Sequence, residues 1–155
     1  MRLALFQPDI PQNTGTIIRL SVCFGIPLDI IEPCGFVFSD AKLRRSGMDY
    51  LELANIQRHI SWENFLEKQT ESRLILVTTN ANQTLEDFHF QLQDTLIFGR
   101  ETSGVPQSVH ESIPTQVRVP MHHHVRSLNV AICAGIVLWE ALRQTDGLKA
   151  SPVRD

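Results

Sequence analysis

The chain has 155 residues, 43% of them hydrophobic and 20% charged, with a formal net charge of −3. That length fits one domain, residues 1–155, able to bury about two thirds of the surface an unfolded chain exposes. The balance excludes a disordered polymer and a strongly basic nucleic-acid coat, although not a local basic patch.

Leu3 to Phe6 reads as a buried strand, and Pro8-Asp9-Ile10-Pro11-Gln12 forces a turn. Asn13 is placed to cap a helix through Thr14 to Phe24, ended by Gly25. Leu28 to Glu32 is a second strand. Residues 33–55 are mixed loops and short helical pieces, and Ile56 to His59 is a short strand. Ser61 caps a helix to about Gln69, with Trp62, Phe65 and Leu66 as its buried face. Leu74 to Thr78 and Thr95 to Phe98 are strands. Pro106 opens a helix that turns Val109 and Ile113 inward. Val117 to Val119 is the last strand, and Ser127 to about Gln144 the longest helix. The tail, about 147–155, reads as loose. Strands alternate with helices and are mostly apolar throughout. The expected fold class is therefore α/β, a mostly parallel sheet with helices on both faces. Ala131, Ala134 and Gly135 would allow the last helix a close contact, either internal or with a second copy.

Cys23, Cys34 and Cys133 are scattered without a CxxC pair, which suits a reducing compartment. The N-terminal apolar run is too short for a signal peptide and no stretch has bilayer-spanning length. The expectation is a cytoplasmic protein with no membrane partner.

Three constellations carry the candidate chemistry. Asn13-Thr14-Gly15 with Arg19 offers a guanidinium fork beside Ile17, Ile18, Val22 and Phe24, whose apolar faces argue against a wholly outward-pointing head. The run Phe98-Gly99-Arg100-Glu101-Thr102-Ser103-Gly104-Val105-Pro106 takes a strand into a tight turn with glycines at both ends, where backbone approaches a ligand closely. Glu101 can cap a neighbouring backbone group or bind a ribose hydroxyl. Val119-Pro120-Met121 followed by Ser127-Leu128-Asn129 is the third, a strand end returning to a helix start. There is no GxGxxG after the first strand, no GxxxxGK[ST], no GxSxG and no HExxH. His122-His123-His124 is a polar loop near the substrate and not a metal centre, because three adjacent residues do not converge on one tetrahedral ion; no metal is expected. Arg44 and Arg45 form a charged loop. Together with Arg58, His59, Arg100, Arg118 and Arg126 they would make a basic RNA groove if they converge.

On these motifs the chain resembles the SPOUT-class, trefoil-knotted RNA ribose methyltransferases. Within them it is similar to the small enzymes that act on the tRNA wobble nucleotide. Asn13-x-Gly15-x-x-x-Arg19, the Gly99–Pro106 run and the two C-terminal segments carry the resemblance, aided by Ile31-Glu32-Pro33, Leu43 to Tyr50, and Glu140 to Gln144.

The resemblance implies an α/β knot that binds S-adenosylmethionine in bent form and releases S-adenosylhomocysteine. It implies cofactor contacts from Val77, Thr78, Gly99, Glu101, Gly104, Val119, Met121, Ser127, Leu128 and Asn129. Arg19, Asn13 and Ser127 would be catalytic, and Arg44, Arg45, Arg126 and Trp139 would meet RNA. A homodimer would bring Arg19 of one subunit to the methyl donor of the other. The target would be the 2'-hydroxyl of nucleotide 34, cytidine or uridine, in leucine tRNAs. Ribosomal RNA, another tRNA position or a non-catalytic RNA-binding role are the alternatives. Trp139 stands where better-known members carry tyrosine, and Ile132 where an extra asparagine is frequent.

Overall fold

The computed structural model describes residues 1–38, 50–69 and 71–148. Among these, six strands form one sheet: β1 Arg2–Phe6, β2 Leu28–Ile31, β3 Ile56–His59, β4 Leu74–Val77, β5 Thr95–Phe98 and β6 Gln116–Val117. Their order is β3-β2-β1-β5-β4-β6, and every neighbouring pair runs parallel. The helices are α1 Pro11–Phe24, α2 Trp62–Lys68, α3 Gln107–Ser112 and α4 Val130–Gln144, with 3-10 turns at Leu51–Leu53 and Leu85–Asp87.

The period of two along each strand explains why the strands read as apolar throughout. Leu3 and Leu5, with Leu28, Ile30, Leu96 and Phe98, pack with Ile17 and Ile18 of α1 and with Ala134, Val137 and Leu138 of α4. The alternate residues Ala4, Phe6, Ile31 and Ile97 pack instead with Phe65 of α2 and Val109 of α3. The sheet is thus covered on both faces, as expected.

Two helix starts depart from expectation. α1 begins at Pro11, so Asn13 is its third residue and not its cap; the capping position is Ile10, with no side-chain bond. Proline's fixed φ and missing N–H suit the first turn, which moves the start forward. α4 begins at Val130 and not at Ser127, because Asn129 is the residue whose Oδ1 reaches the first free amides. In α2, Ser61 caps as expected, its Oγ accepting from Asn64 N at 3.2 Å, and Trp62 stacks on Phe65 at 5.3 Å. Leu66, expected to be buried, is exposed; one residue further on is a rotation of about 100° off the Phe65 face.

β6 is shorter than the expected Val117–Val119 strand. Beyond it the backbone turns to the Gln83–Leu85 segment: Arg118 N donates to Gln83 O, and Leu85 N to Arg118 O. Of the expected loose tail, Gly147 and Leu148 are described: Gly147 N donates to Leu142 O at 2.9 Å and Leu148 packs against the core. The remainder, 149–155, lies outside the described residues.

Two buried carboxylates are compensated. Asp29 accepts from Arg2 at 2.7 and 3.0 Å and lies 2.7 Å from His59 Nε2; Asp94 accepts from Arg73 at 2.8 and 2.7 Å. Without such partners each would be strongly destabilising in the core. Among the described residues, no helix is long and apolar enough to cross a membrane.

Candidate functional site

Parallel pairing decides which loops meet. β1 and β5 are neighbours in register Leu5↔Phe98, β4 and β5 in register Val77↔Phe98, and β4 and β6 in register Val77↔Val117. The segments leaving their carboxyl ends therefore emerge side by side, next to the point where strand order reverses between β1 and β5. Ligands of open parallel sheets bind in that crevice. A cavity of about 620 Å³ opens there, within the roughly 300–1,000 Å³ of small-molecule sites.

Each of Val77, Thr78, Gly99, Glu101, Gly104, Val119, Met121, Ser127, Leu128 and Asn129 lines this cavity, and so do Asn13 and Arg126. Residues up to 116 positions apart in sequence are thus brought into one wall. The wall mixes the apolar faces of Leu76, Val77, Val119, Met121 and Val130 with backbone and amide groups. That lining suits a flat, partly apolar ligand with polar edges.

The two glycines have different reasons. Gly104 adopts φ +67°, the left-handed region. Gly99 is packed against the backbone of Gly104: a Cβ there would lie 2.6 Å from the Gly104 carbonyl carbon and 2.8 Å from its Cα. The loop is closed by Arg100 N donating to Gly104 O at 2.9 Å and Gly104 N donating to Arg100 O at 3.0 Å.

A hydrogen-bond chain ties the three motifs together. Glu101 Oε2 accepts from Asp9 N at 2.8 Å, and its Oε1 accepts from Asn13 Nδ2 at 3.1 Å. Asn13 Oδ1 accepts from Asn129 Nδ2 at 2.9 Å, and Asn129 Oδ1 accepts from Ala131 N and Ile132 N. Glu101 therefore takes the first of its two expected roles, capping a neighbouring backbone amide. Asn129→Ala is expected to lose a cap worth about 1 kcal/mol, lowering Tm by roughly 2–4 °C. Asn129→Asp keeps the accepting oxygen of the cap and replaces the donor to Asn13 with a second acceptor, which breaks that link. It should hold Tm in a thermal melt while weakening ligand binding measured by calorimetry.

Other expected groups do not converge. Arg19 is exposed, outside the cavity of its own chain, with its guanidinium 4.8 Å from the centre of the Tyr50 ring. The head therefore does not point wholly outward, but it packs on Tyr50 and not on the apolar faces of Ile17 and Ile18, which turn into the core. Trp139 is half exposed, edge-on to Phe24 at 6.2 Å, and lies by a separate groove with Ile136, Glu140 and Arg143. Arg44 and Arg45 lie outside the described residues. Of the other basic groups, Arg58 pairs with Glu32 and His59 is buried against Asp29, while Arg100 and Arg126 reach the cavity.

The sequence reading missed Asp9 and His110. Asp9 Oδ2 accepts from the Thr102 hydroxyl and so clamps the glycine loop; the motif around it reads only as a turn. His110 lines the cavity from α3, with Nδ1 3.3 Å from Gln116 Nε2, and no spacing signal announces it. Cys133 also lines the cavity. Burial pushes its thiol up to about 11, so it stays neutral and is no nucleophile at pH 7. Among the described residues, no cluster of three or more His, Cys, Asp or Glu side chains is arranged to hold a metal ion.

Known proteins resemble this chain in sequence and fold. A model of the SpoU rRNA Methylase family matches residues 1–139. The tRNA (cytidine(34)-2'-O)-methyltransferase of Beijerinckia indica is 50% identical over 148 residues, covering 94% of this chain and 92% of that protein. The Escherichia coli K12 enzyme of the same name is 39% identical, covering 100% of this chain and 99% of its own length. A solved structure concerned with 2-OH methylation of C/U34 on tRNA superposes with TM-score 0.87 at 37% identity, over 92% of this chain and 94% of that one. An AdoMet-bound rRNA methyltransferase from Sinorhizobium meliloti gives TM-score 0.81 at 25% identity, over 92% of this chain and 55% of that one. With the motif residues gathered in one cavity and a family match from the first strand into the last helix, this chain belongs to the SpoU rRNA Methylase family, beside its small tRNA wobble-nucleotide members.

Proposed function

We propose that this protein is a cytoplasmic enzyme that methylates the ribose 2'-hydroxyl of nucleotide 34, cytidine or uridine, in leucine tRNAs, using S-adenosylmethionine and no metal. The observation that carries the reading is the convergence of all ten expected cofactor residues on one cavity of about 620 Å³. The residues present fit that cofactor: the closed Gly99–Gly104 turn presents backbone, and the surrounding aliphatic side chains present apolar faces. The names of the 50% and 39% identical relatives favour nucleotide 34 of tRNA. Leucine isoacceptors enter from the family resemblance alone.

When bound, S-adenosylmethionine supplies a methyl group on a sulfonium that leaves readily. What remains for the protein is to hold a weakly acidic hydroxyl in line, and orientation alone removes much of such a barrier. Glu101, Asn13 and Asn129 brace the wall of the cavity through their hydrogen bonds. Ser127 contributes a hydroxyl to the same wall. Arg19 donates its fork to the phosphate beside the target ribose or to the developing alkoxide. A guanidinium is a donor only, so its role is electrostatic and positional and not that of a base.

Because Arg19 lies outside its own chain's cavity, the reading includes a homodimer in which it serves the partner's site. Ile132, Ile136 and Trp139 form an exposed apolar stripe on α4, which supports a second copy as its cover.

The test is transfer of labelled methyl to total tRNA from a strain lacking the protein, with nucleoside mapping. Label on the ribose of nucleotide 34 is expected. Label elsewhere on tRNA overturns the position, and no label on tRNA overturns the function.

A further inference from the structure

We propose that His122, His123 and His124 form a phosphate-binding rim for the RNA at the mouth of the cavity, and that RNA affinity is consequently coupled to proton uptake. The inference rests on the RNA-methylating reading and names a part of the substrate contact that the three motifs leave unassigned.

Placement is the first argument. Met121 and Arg126 both line the cavity, so the residues between them arch along its edge. The imidazoles are exposed, as is Arg126. The ring of His122 lies 6.0 Å from that of His123 and 5.6 Å from that of His124, so the three present one donor cluster to solvent. A bend held by Val125 N donating to His122 O at 3.3 Å supports it.

Charge is the second. The formal charge of the chain is −3 with histidines neutral, yet the substrate is a polyanion. Arg2, Arg58, Arg73 and Arg143 are each paired with a carboxylate. Protonation of three imidazoles would cancel the formal −3, and it would do so beside the cavity. The charged and titratable groups lining that cavity are Arg100, Glu101, His110, Arg126 and Cys133, whose thiol burial keeps neutral. Of these, Glu101 is the acid, and its two oxygens already accept from Asp9 N and Asn13. A phosphate next to the loop stabilises an imidazole in its charged form. Binding RNA therefore takes up protons, and affinity rises as pH falls.

The test compares wild-type protein with the triple variant His122→Gln, His123→Gln, His124→Gln. Total tRNA from a strain lacking the protein is the RNA probe, and S-adenosylhomocysteine reports pocket integrity. At constant ionic strength, wild-type affinity for tRNA should rise about tenfold from pH 8 to pH 6, as two or three imidazoles gain charge. The variant should lose most of that rise and show a salt slope at pH 6 shallower by about two. Its affinity for S-adenosylhomocysteine and its Tm should match wild type. Equal pH and salt dependence in both proteins, with tRNA methylation intact, overturns the rim and leaves the enzyme reading standing. A difference abolished by EDTA overturns it in favour of a metal held by the histidines. Absence of both tRNA binding and methyl transfer in wild type removes the enzyme reading and the rim with it.

Discussion

Gly99→Ala is expected to abolish cofactor binding while leaving a folded protein. The added Cβ would sit 2.6 Å from the carbonyl carbon and 2.8 Å from the Cα of Gly104, which are backbone atoms with no rotamer to yield. Relief requires opening the turn and losing the bonds Arg100 N to Gly104 O and Gly104 N to Arg100 O. Overpacking of this kind costs about 1–3 kcal/mol, which a domain of this size survives with a Tm lower by several degrees. The functional loss is larger, because the turn is the wall of the cavity. A displacement near 1 Å at a positioned ligand costs on the order of a hundredfold in rate. Gly104→Ala is the comparison. Its Cβ meets nothing within 4 Å, so the penalty is only that of φ +67°, about 1–2 kcal/mol. Calorimetry with S-adenosylhomocysteine separates the two: near-complete loss for Gly99→Ala, partial loss for Gly104→Ala. Binding within threefold of wild type by Gly99→Ala would show that the turn is not the cofactor wall.

Arg19→Lys is expected to keep tRNA affinity within about threefold and to lower the single-turnover rate by roughly 10²–10³, the effect of removing one well-placed donor to a developing anion. Lysine retains the charge, and with it the phosphate attraction, but not the planar fork. Turnover near the wild-type rate would sink this role. The placement of Arg19 outside its own cavity adds a sharper test. Mixing Arg19→Ala protomers with Gly99→Ala protomers, each inactive alone, should recover methyl transfer if the proposed homodimer holds, because one site of the mixed dimer then has both an intact cavity and an intact Arg19. No recovery despite subunit exchange would place Arg19 in service of its own chain.

Much of this could be read along the chain, for local reasons. Leu3 to Phe6, Leu74 to Val77 and Thr95 to Phe98 are short, mostly apolar runs between turn residues, the composition that burial on both faces of a sheet favours. Gly25 ends α1 in the left-handed conformation, and Ser61 caps α2 through its hydroxyl, as their residue types dictate. The glycine turn is equally local, since backbone close to a ligand demands glycine, whereas the sequence places the start of α4 at Ser127 and the structure gives its cap to Asn129.

Tertiary structure decided the rest, because the deciding contacts are remote in sequence. Asn13 has the chemistry of a cap and is not one. Pairing of β1 with β5 sets it between Glu101 and Asn129, 88 and 116 positions away, and those partners claim its amide. Asp9 reads as a turn residue and clamps Thr102 across the same junction. His59 reads as part of a basic cluster and is instead sealed against Asp29 in the core. Arg19 carries a guanidinium wherever it lies, but only the packing of Ile17 and Ile18 into the sheet fixes which way it faces. Residue type sets what a group can donate, accept or bury; the register of parallel strands, with no counterpart in local sequence, sets which groups meet.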